Sequence, residues 1–283
     1  MRPLLGTFVE ITASYSDRAK AHAAISAAFA AVERVAGLMS FHDPHSEVSR
    51  LNRLAARQAV RVSTDTYEVL KCAKTLHEQT QGVFDIAVAP ELISHRLLPR
   101  HPFVGRRKSY TGRGEDVALL RGRRVRFLRP LQIDLGGIAK GFAVDRAVQT
   151  LESAGISSGC VNAGGDLRFF GSNERPLCLR SPDYPEQRLP FGNFRRVAVA
   201  TSAPYFSLKR FGARRVSALI HPISRQAFLE RRSVSVFAAS CMTADALTKA
   251  VLFSDSPTAL LERFQAKAAI LGEGGLARLL GWE

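Results

Sequence analysis

The chain has 283 residues, 46% of them hydrophobic and 23% charged, which excludes a disordered or collagen-like polymer and leaves enough apolar material for a sizeable core. The formal charge is +15, carried mostly by arginine. Apart from the basic run over residues 121–126 the arginines are scattered, and no aromatic RNA platform or zinc-finger spacing accompanies them, so the surplus reads as a solvated basic surface and nucleic acid is not the expected partner.

The first residues, Met1-Arg2-Pro3-Leu4-Leu5-Gly6, lack the apolar core and cleavage site of a secretory signal, and the expected location is the cytoplasm. Residues 5–13 alternate in the manner of a strand, with Val9 and Ile11 on one face. Residues 18–39 are Ala-rich at helical spacing, with Asp17 as N-cap. No run in the chain approaches the roughly 20 uncharged apolar residues of a membrane span. A second helix is predicted over 66–80, introduced by Asp65 with Glu68 as a capping-box-like pair. Residues 94–116, rich in Arg, Pro and Gly, read as a surface loop. Two short strands follow within 117–127, around the basic turn at 121–124.

Residues 131–135 predict a strand that passes through Gly136-Gly137 into a helix over about 138–153, closing at Gly155. Further strands are predicted at 159–162, at 166–170, and over 197–201, 216–220, 234–238 and 268–271. Helices fall over 243–253 and 258–265. Such a mixture implies an α+β or mixed α/β fold, read as one domain over 1–283 because no Gly/Ser linker interrupts it. The four cysteines, Cys72, Cys160, Cys178 and Cys241, form no CxxC pair and are expected as free thiols.

Three clusters carry chemistry. Asp134-Leu135-Gly136-Gly137-Ile138-Ala139-Lys140-Gly141 places two glycines between a strand and a helix start. There the first N–H groups, the helix dipole and the Lys140 ammonium would favour a phosphate, the alternative being a plain strand-to-helix turn. Asn162-Ala163-Gly164-Gly165-Asp166 reads locally as a tight hairpin. In Met242-Thr243-Ala244-Asp245-Ala246-Leu247-Thr248-Lys249, helical spacing puts Asp245, Thr248 and Lys249 on one face. A carboxylate with a hydroxyl suits a hard cation such as Mg²⁺. An Asp–Lys helix pair is the other reading.

Taken together, these strings resemble the FAD:protein FMN transferase (ApbE) family along nearly the whole chain. The resemblance opens at Leu5-Gly6-Thr7 and continues through Met39-Ser40-Phe41 and the run from Ser46 to Asn52. It then takes in Gly82-Val83-Phe84-Asp85, Val88-Ala89-Pro90, and the run from Asp134 to Gly141 with Ala143-Val144-Asp145. Val161 to Asp166, Ala200-Thr201-Ser202 and Thr243 to Leu247 complete the order. The resemblance implies a two-lobed fold with mixed sheets and a flavin-nucleotide cleft between the lobes. It further implies Mg²⁺-dependent cleavage of FAD, with FMN passed to a Thr or Ser hydroxyl of an acceptor flavoprotein. By position it assigns Ala139, Asp245 and Thr248 to the metal, and Leu5, Phe41, Val83, Phe84, Asp85, Asp134, Lys140 and Leu219 to FAD.

The chain departs from the family pattern at three places. Where the family usually has His-x-x-Asp-Pro-x-Thr-Gly, residues 218–225 read Ala-Leu-Ile-His-Pro-Ile-Ser-Arg. Ala218 therefore replaces the histidine tied to transfer, and His221 is the nearby candidate for a catalytic role. Ala203 follows Thr201-Ser202 where Gly is usual, and Lys249 stands where the family has Thr. A lysine beside a metal carboxylate opposes a divalent cation. Two readings stay open: an active transferase, and a family member that binds FAD without transferring FMN.

Overall fold

Leu5 and Gly6 both have positive φ, 57° and 71°, the combination a two-residue type I′ hairpin turn requires. The strand expected over 5–13 is therefore two: β1 (Arg2–Leu4) and β2 (Thr7–Ser14), antiparallel with Leu4 opposite Thr7. The computed structural model describes residues 1–101, 110–205, 207–211, 214–275 and 277–282. Asp17 caps α1 (Arg18–Met39) as expected, its Oδ1 accepting the Ala19 and Lys20 N–H groups at 3.0 and 3.1 Å. By length and composition α1 could cross a membrane; here Ala24, Ala28, Phe29, Val32 and Val35 along it are buried.

A short helix α2 (Glu47–Leu54) and strand β3 (Val60–Arg61) precede α3 (Thr64–Gln79). The cap of α3 is Ser63, whose Oγ accepts the Thr66 N–H at 3.2 Å, rather than Asp65. Ser63 is held in place because its own N–H and hydroxyl donate to the Glu47 carboxylate at 2.9 and 2.8 Å. Helix α4 (Ala89–Ser94) and a 3₁₀ turn (Gly114–Asp116) bound the segment expected as a loop, of which residues 102–109 lie outside the described ones. Strands β4 (Val117–Leu120) and β5 (Arg124–Phe127) flank the basic turn as expected.

Residues 131–135 form no ladder, which corrects the expected strand. A side chain does the pairing instead. Asn52 accepts the Ile133 N–H at 2.8 Å and donates back to its carbonyl at 2.9 Å, so one amide stands in for a neighbouring strand. Helix α5 (Ala139–Ser153) ends at Gly155, φ 82°, with the Ile156 N–H reaching the Leu151 carbonyl at 3.0 Å.

Then come β6 (Ser158–Ala163), β7 (Asp166–Phe170), β8 (Arg175–Arg180), β9 (Arg188–Phe194), β10 (Val197–Ser202), β11 (Lys209–Phe211) and β12 (Arg214–Val216). The strand expected over 216–220 stops at Val216. Ser217 Oγ donates to the Phe228 carbonyl at 2.6 Å and accepts the Leu219 N–H at 3.2 Å, drawing the backbone into a turn. The chain finishes with β13 (Ser233–Ala238), α6 (Cys241–Phe253), α7 (Pro257–Arg263), β14 (Lys267–Leu271) and β15 (Ala277–Leu280).

These elements build two compact units. The first comprises Met1–Ala36, Lys140–Phe206 and Glu230–Glu283. Its sheet runs β1-β2-β6-β7-β10-β13-β14-β15, and every ladder among the described residues is antiparallel. Helix α6 packs on β10 and β13. The β8–β9 ribbon, not expected from the sequence, adds Leu177 and Leu179 to a core with Phe169, Val199 and Phe237. Phe191, Phe194 and Trp282 stack or butt against Phe237, at centroid distances of 5.2, 5.5 and 5.0 Å. β13 is buried along its whole length.

The second unit comprises Gly37–Ala139 and Ser207–Leu229. It holds the three-stranded β3-β5-β4 sheet, with α3 against β4 and α2 against β3. Leu51, Leu70, Leu76, Phe127, Leu131 and Ile133 are fully buried within it.

Gly141 is required by close approach. A Cβ there would overlap the Cys241 carbonyl and lie 2.8 Å from the Met242 nitrogen, because the starts of α5 and α6 meet at this point. Gly141→Ala should cost about 1–3 kcal/mol or more through overpacking. Gly37→Ala, in open space on α1, should be neutral or stabilising by up to about 1 kcal/mol. Guanidinium unfolding midpoints of the two variants check this, and equal shifts would contradict the packing argument.

Candidate functional site

The start of α5 carries Lys140, and β7 begins with Asp166, just after the Gly164-Gly165 turn. The Lys140 ammonium bonds the Asp166 carboxylate and lies 4.0 Å from Asp245 Oδ2. Asp245, on the second turn of α6, is fully buried. Its Oδ2 accepts the Gly141 N–H at 3.1 Å, and its Oδ1 is paired with Lys249, one helical turn on. Two lysines and two aspartates thus form one neutral cluster. Thr248, also fully buried, donates to the Asp245 carbonyl at 2.6 Å and shares a 2.6 Å bond with Ser202 Oγ. Asp145 completes the frame by accepting the Cys241 and Met242 N–H groups, at 3.0 and 2.9 Å, at the start of α6, while Arg168 holds it at 2.6 Å.

Burial sets the electrostatics here, and the partners decide its direction. Burial alone would lower the Lys140 ammonium, but the Asp166 and Asp245 carboxylates outweigh it and hold the group charged well above its ordinary range. Burial and the neighbouring Asp245 charge raise Asp166, against the pull of Lys140 and Lys249. Burial acts on Asp245 too, yet Lys140, Lys249 and the Gly141 N–H overcome it and depress that carboxyl. Cys241, buried among these carboxylates, is pushed up and kept a thiol.

Sequence reasoning placed Lys140, Asp245 and Thr248 here but read Asp166 only as a turn residue. The turn itself is real, since Asn162 Oδ1 accepts the Gly165 N–H at 2.9 Å. The overlooked signal was a carboxylate at the head of a strand whose Leu167, Phe169 and Phe170 are apolar. Leu5, also in the first unit, sits in the β1–β2 turn.

The second unit gathers most of the other expected residues. Phe84 and Asp85 are buried; Asp85 accepts the Ala87 N–H at 2.7 Å and the Gly114 N–H at 3.3 Å, and His77 Nδ1 meets the Phe84 carbonyl at 3.1 Å. Val83 is half-buried beside them. Asp134 joins through its N–H to the Ile86 carbonyl, 2.9 Å, while its Oδ2 takes the Gly136 N–H at 3.0 Å. The loop bearing Leu219 is pinned by Arg225, which donates to the Ala87 carbonyl at 2.6 Å and to Glu91 at 3.3 Å, and by Arg113, which donates to the Pro222 carbonyl. Phe41 is buried, its carbonyl 2.6 Å from His101 Nε2. Ala139, the last residue of this unit's first segment, is buried at the first position of α5.

His221 braces a turn. Its Nδ1 accepts the Ile223 and Ser224 N–H groups at 3.2 and 3.3 Å. A neutral ring accepting there carries its proton on Nε2, as assigned from these bonds, and has no lone pair left to take a proton from a hydroxyl. In this position His221 braces the turn, and the catalytic role expected of it is left to the activity of His221→Ala. Ala218 is exposed, its N–H donating to Ser207 Oγ at 3.0 Å.

The metal implied by the resemblance does not suit this donor set. Both Asp245 oxygens already face an ammonium, and the Asp245 carbonyl accepts from both Lys249, at 2.8 Å, and Thr248. Two unit charges 4 Å apart repel by about 4 kcal/mol at an effective dielectric near 20, and a divalent ion doubles that for each lysine. Among the described residues, no three or more His, Cys, Asp or Glu side chains gather to hold a metal.

Because Asp245 is depressed on folding, it contributes stability that is present above its unfolded value of about 3.9 and lost as pH falls through its folded one. Lys249→Met should remove much of that, costing towards the lower end of about 3–5 kcal/mol near neutral pH. The deficit should narrow as pH falls from about 4 towards the depressed folded value of Asp245, below which the carboxyl is protonated in parent and variant alike. Urea unfolding of both proteins between neutral and acid pH checks this; a deficit that stays constant on acidification would contradict it.

Residues 5–271 match the ApbE family. The FAD:protein FMN transferase of Vibrio cholerae is 29% identical over 238 residues, 78% of this chain and 70% of that protein. That of Treponema pallidum is 26% identical, over 94% of this chain and 82% of its own length. The crystal structure of the ApbE protein from Thermotoga maritima superposes with a TM-score of 0.85 at 27% identity, covering 98% of this chain and 95% of that one. The flavin transferase ApbE from Vibrio cholerae gives 0.82 at 26%, covering 99% and 96%. With its sequence strings in family order and its fold superposing end to end, the chain belongs to the ApbE family.

Proposed function

We propose that this protein is an FAD:protein FMN transferase. A Thr or Ser hydroxyl oxygen of an acceptor flavoprotein attacks the FMN-side phosphorus of FAD. The bond from that phosphorus to the AMP oxygen breaks, AMP leaves, and the hydroxyl proton passes to solvent. The observation that carries the reading is the family match over residues 5–271, supported by relatives named for this activity over most of their length. Phosphoryl transfer asks a protein chiefly for positioning and for positive charge beside the phosphates. Lys140 supplies such charge: it stays an ammonium at the start of α5, about one-third exposed despite its buried partners. Mg²⁺ belongs to the expectation from resemblance, but the Asp245 donor set is already filled by lysine, and no step here runs through a metal.

A second reading, an FAD-binding member that does not transfer FMN, draws on Ala218 and on the committed Nδ1 of His221. Neither residue supplies a base, and a positioned general base contributes typically about 10²–10⁴-fold. Incubation of the protein with FAD and an acceptor flavoprotein, followed by mass spectrometry of the acceptor and measurement of AMP, separates the two. Slow transfer is expected from the parent, raised by up to about 10²–10⁴-fold in Ala218→His and retained in His221→Ala. A parent that releases no AMP above the enzyme-free control would rule out transfer. Activity lost with His221 would restore that residue as the base.

A further inference from the structure

Asp245 is fully buried, and both of its carboxylate oxygens are engaged. Lys249 Nζ bonds its Oδ1 and reaches its main-chain carbonyl at 2.8 Å, closing a ring across one helical turn. Oδ2 takes the Gly141 N–H and faces Lys140. The hydroxyl that could join a cation, Thr248 Oγ1, is turned to the Asp245 carbonyl and to Ser202. Lys249 is itself largely enclosed, with 17% of its side chain exposed. The pair is therefore no solvated surface bridge that an incoming ion would displace cheaply. An ion entering would have to expel an ammonium from a buried carboxylate while Lys140 stands 4.0 Å away.

We propose that the Lys249 ammonium is a built-in cation that takes the place of a divalent metal at Asp245, so that this protein meets its anionic substrate with Lys140 and Lys249 and without a metal ion. A lysine has a fixed single charge and three donors, whereas a divalent ion would bring open positions for phosphate oxygens. Metal exclusion stands on the geometry of Asp245 alone; only the identity of the substrate rests on the proposed transferase function.

The test uses the whole protein and Mn²⁺ as the probe, with no nucleotide present. Electron paramagnetic resonance of free Mn²⁺ and titration calorimetry count bound ions. The parent is expected to show no stoichiometric site, and its melting temperature to be the same in EDTA and in Mg²⁺. Lys249→Thr removes the ammonium and adds a hydroxyl, and should gain one Mn²⁺ per chain, at least about ten-fold tighter than any binding by the parent. Adding Asp245→Asn to Lys249→Thr should abolish that gain. Should Lys249→Thr not fold, Lys249→Met keeps the aliphatic stem and carries the same comparison. A parent that binds one Mn²⁺ lost on Asp245→Asn overturns the proposal, as does a folded Lys249 variant that binds none. In a separate arm, FAD affinity of the parent should be unchanged by EDTA, and a requirement for Mg²⁺ overturns the proposal as well. Failure of FAD to bind under any condition counts against the transferase reading instead, and leaves the Mn²⁺ result to decide the role of Lys249.

Discussion

Two aspartates are buried at the meeting of α5, α6 and β7, and two lysines make that burial possible. An isolated carboxylate could not remain ionised there without a cost of several kcal/mol. Much local structure is arranged to keep the four together. Gly141 has no side chain because the first turns of α5 and α6 touch, and its N–H is spent on Asp245. Asp145 caps α6 from α5, so that one helix fixes the start of the other. The antiparallel sheet, with β13 buried on both faces, provides the rigid floor on which α6 and its Asp–Lys ring rest.

The same arrangement separates the two carboxylates chemically. Asp166 is bonded to one lysine and is pushed up by burial and by Asp245. Asp245 has two lysines and a backbone N–H and is held down. Opposite shifts in adjacent groups of one type are a common property of sites that handle charge, though structural ion pairs produce them as well. Of the two lysines Lys140 is the more exposed, 33% against 17%, and so the first to meet an incoming phosphate. In the second unit the corresponding work is done by backbone. Asn52, Asp85, Arg113 and Arg225 lock irregular segments through main-chain groups, giving loops the definition that ladders give strands.

How far this was legible in the sequence depended on whether local or distant atoms made each choice. Helices α1, α5 and α6 were readable because apolar spacing and caps act within a few residues. The Leu5-Gly6 turn was missed because the alternation of β2 seemed to continue through it, although a glycine at that point was a signal for a reversal. Residues 131–135 had the composition of a strand but not its partner, since the pairing group is an amide some eighty residues earlier. Strands β8 and β9 went unread because their apolar residues find a face only when Phe237 and Trp282 are in place. At the site, the spacing of Asp245 and Lys249 was plain, whereas their burial depends on strands far away in sequence. Asp166 could not be matched to Lys140 without the fold.

What occupies the carboxylate of Asp245 decides whether this site works without a metal. The most direct measurement is anomalous diffraction from crystals of the protein grown with Mn²⁺ and flavin nucleotide. Lys249 Nζ is expected against Asp245 Oδ1, with no anomalous peak beside it. An anomalous peak coordinated by Asp245, with the Lys249 side chain swung away, would contradict it.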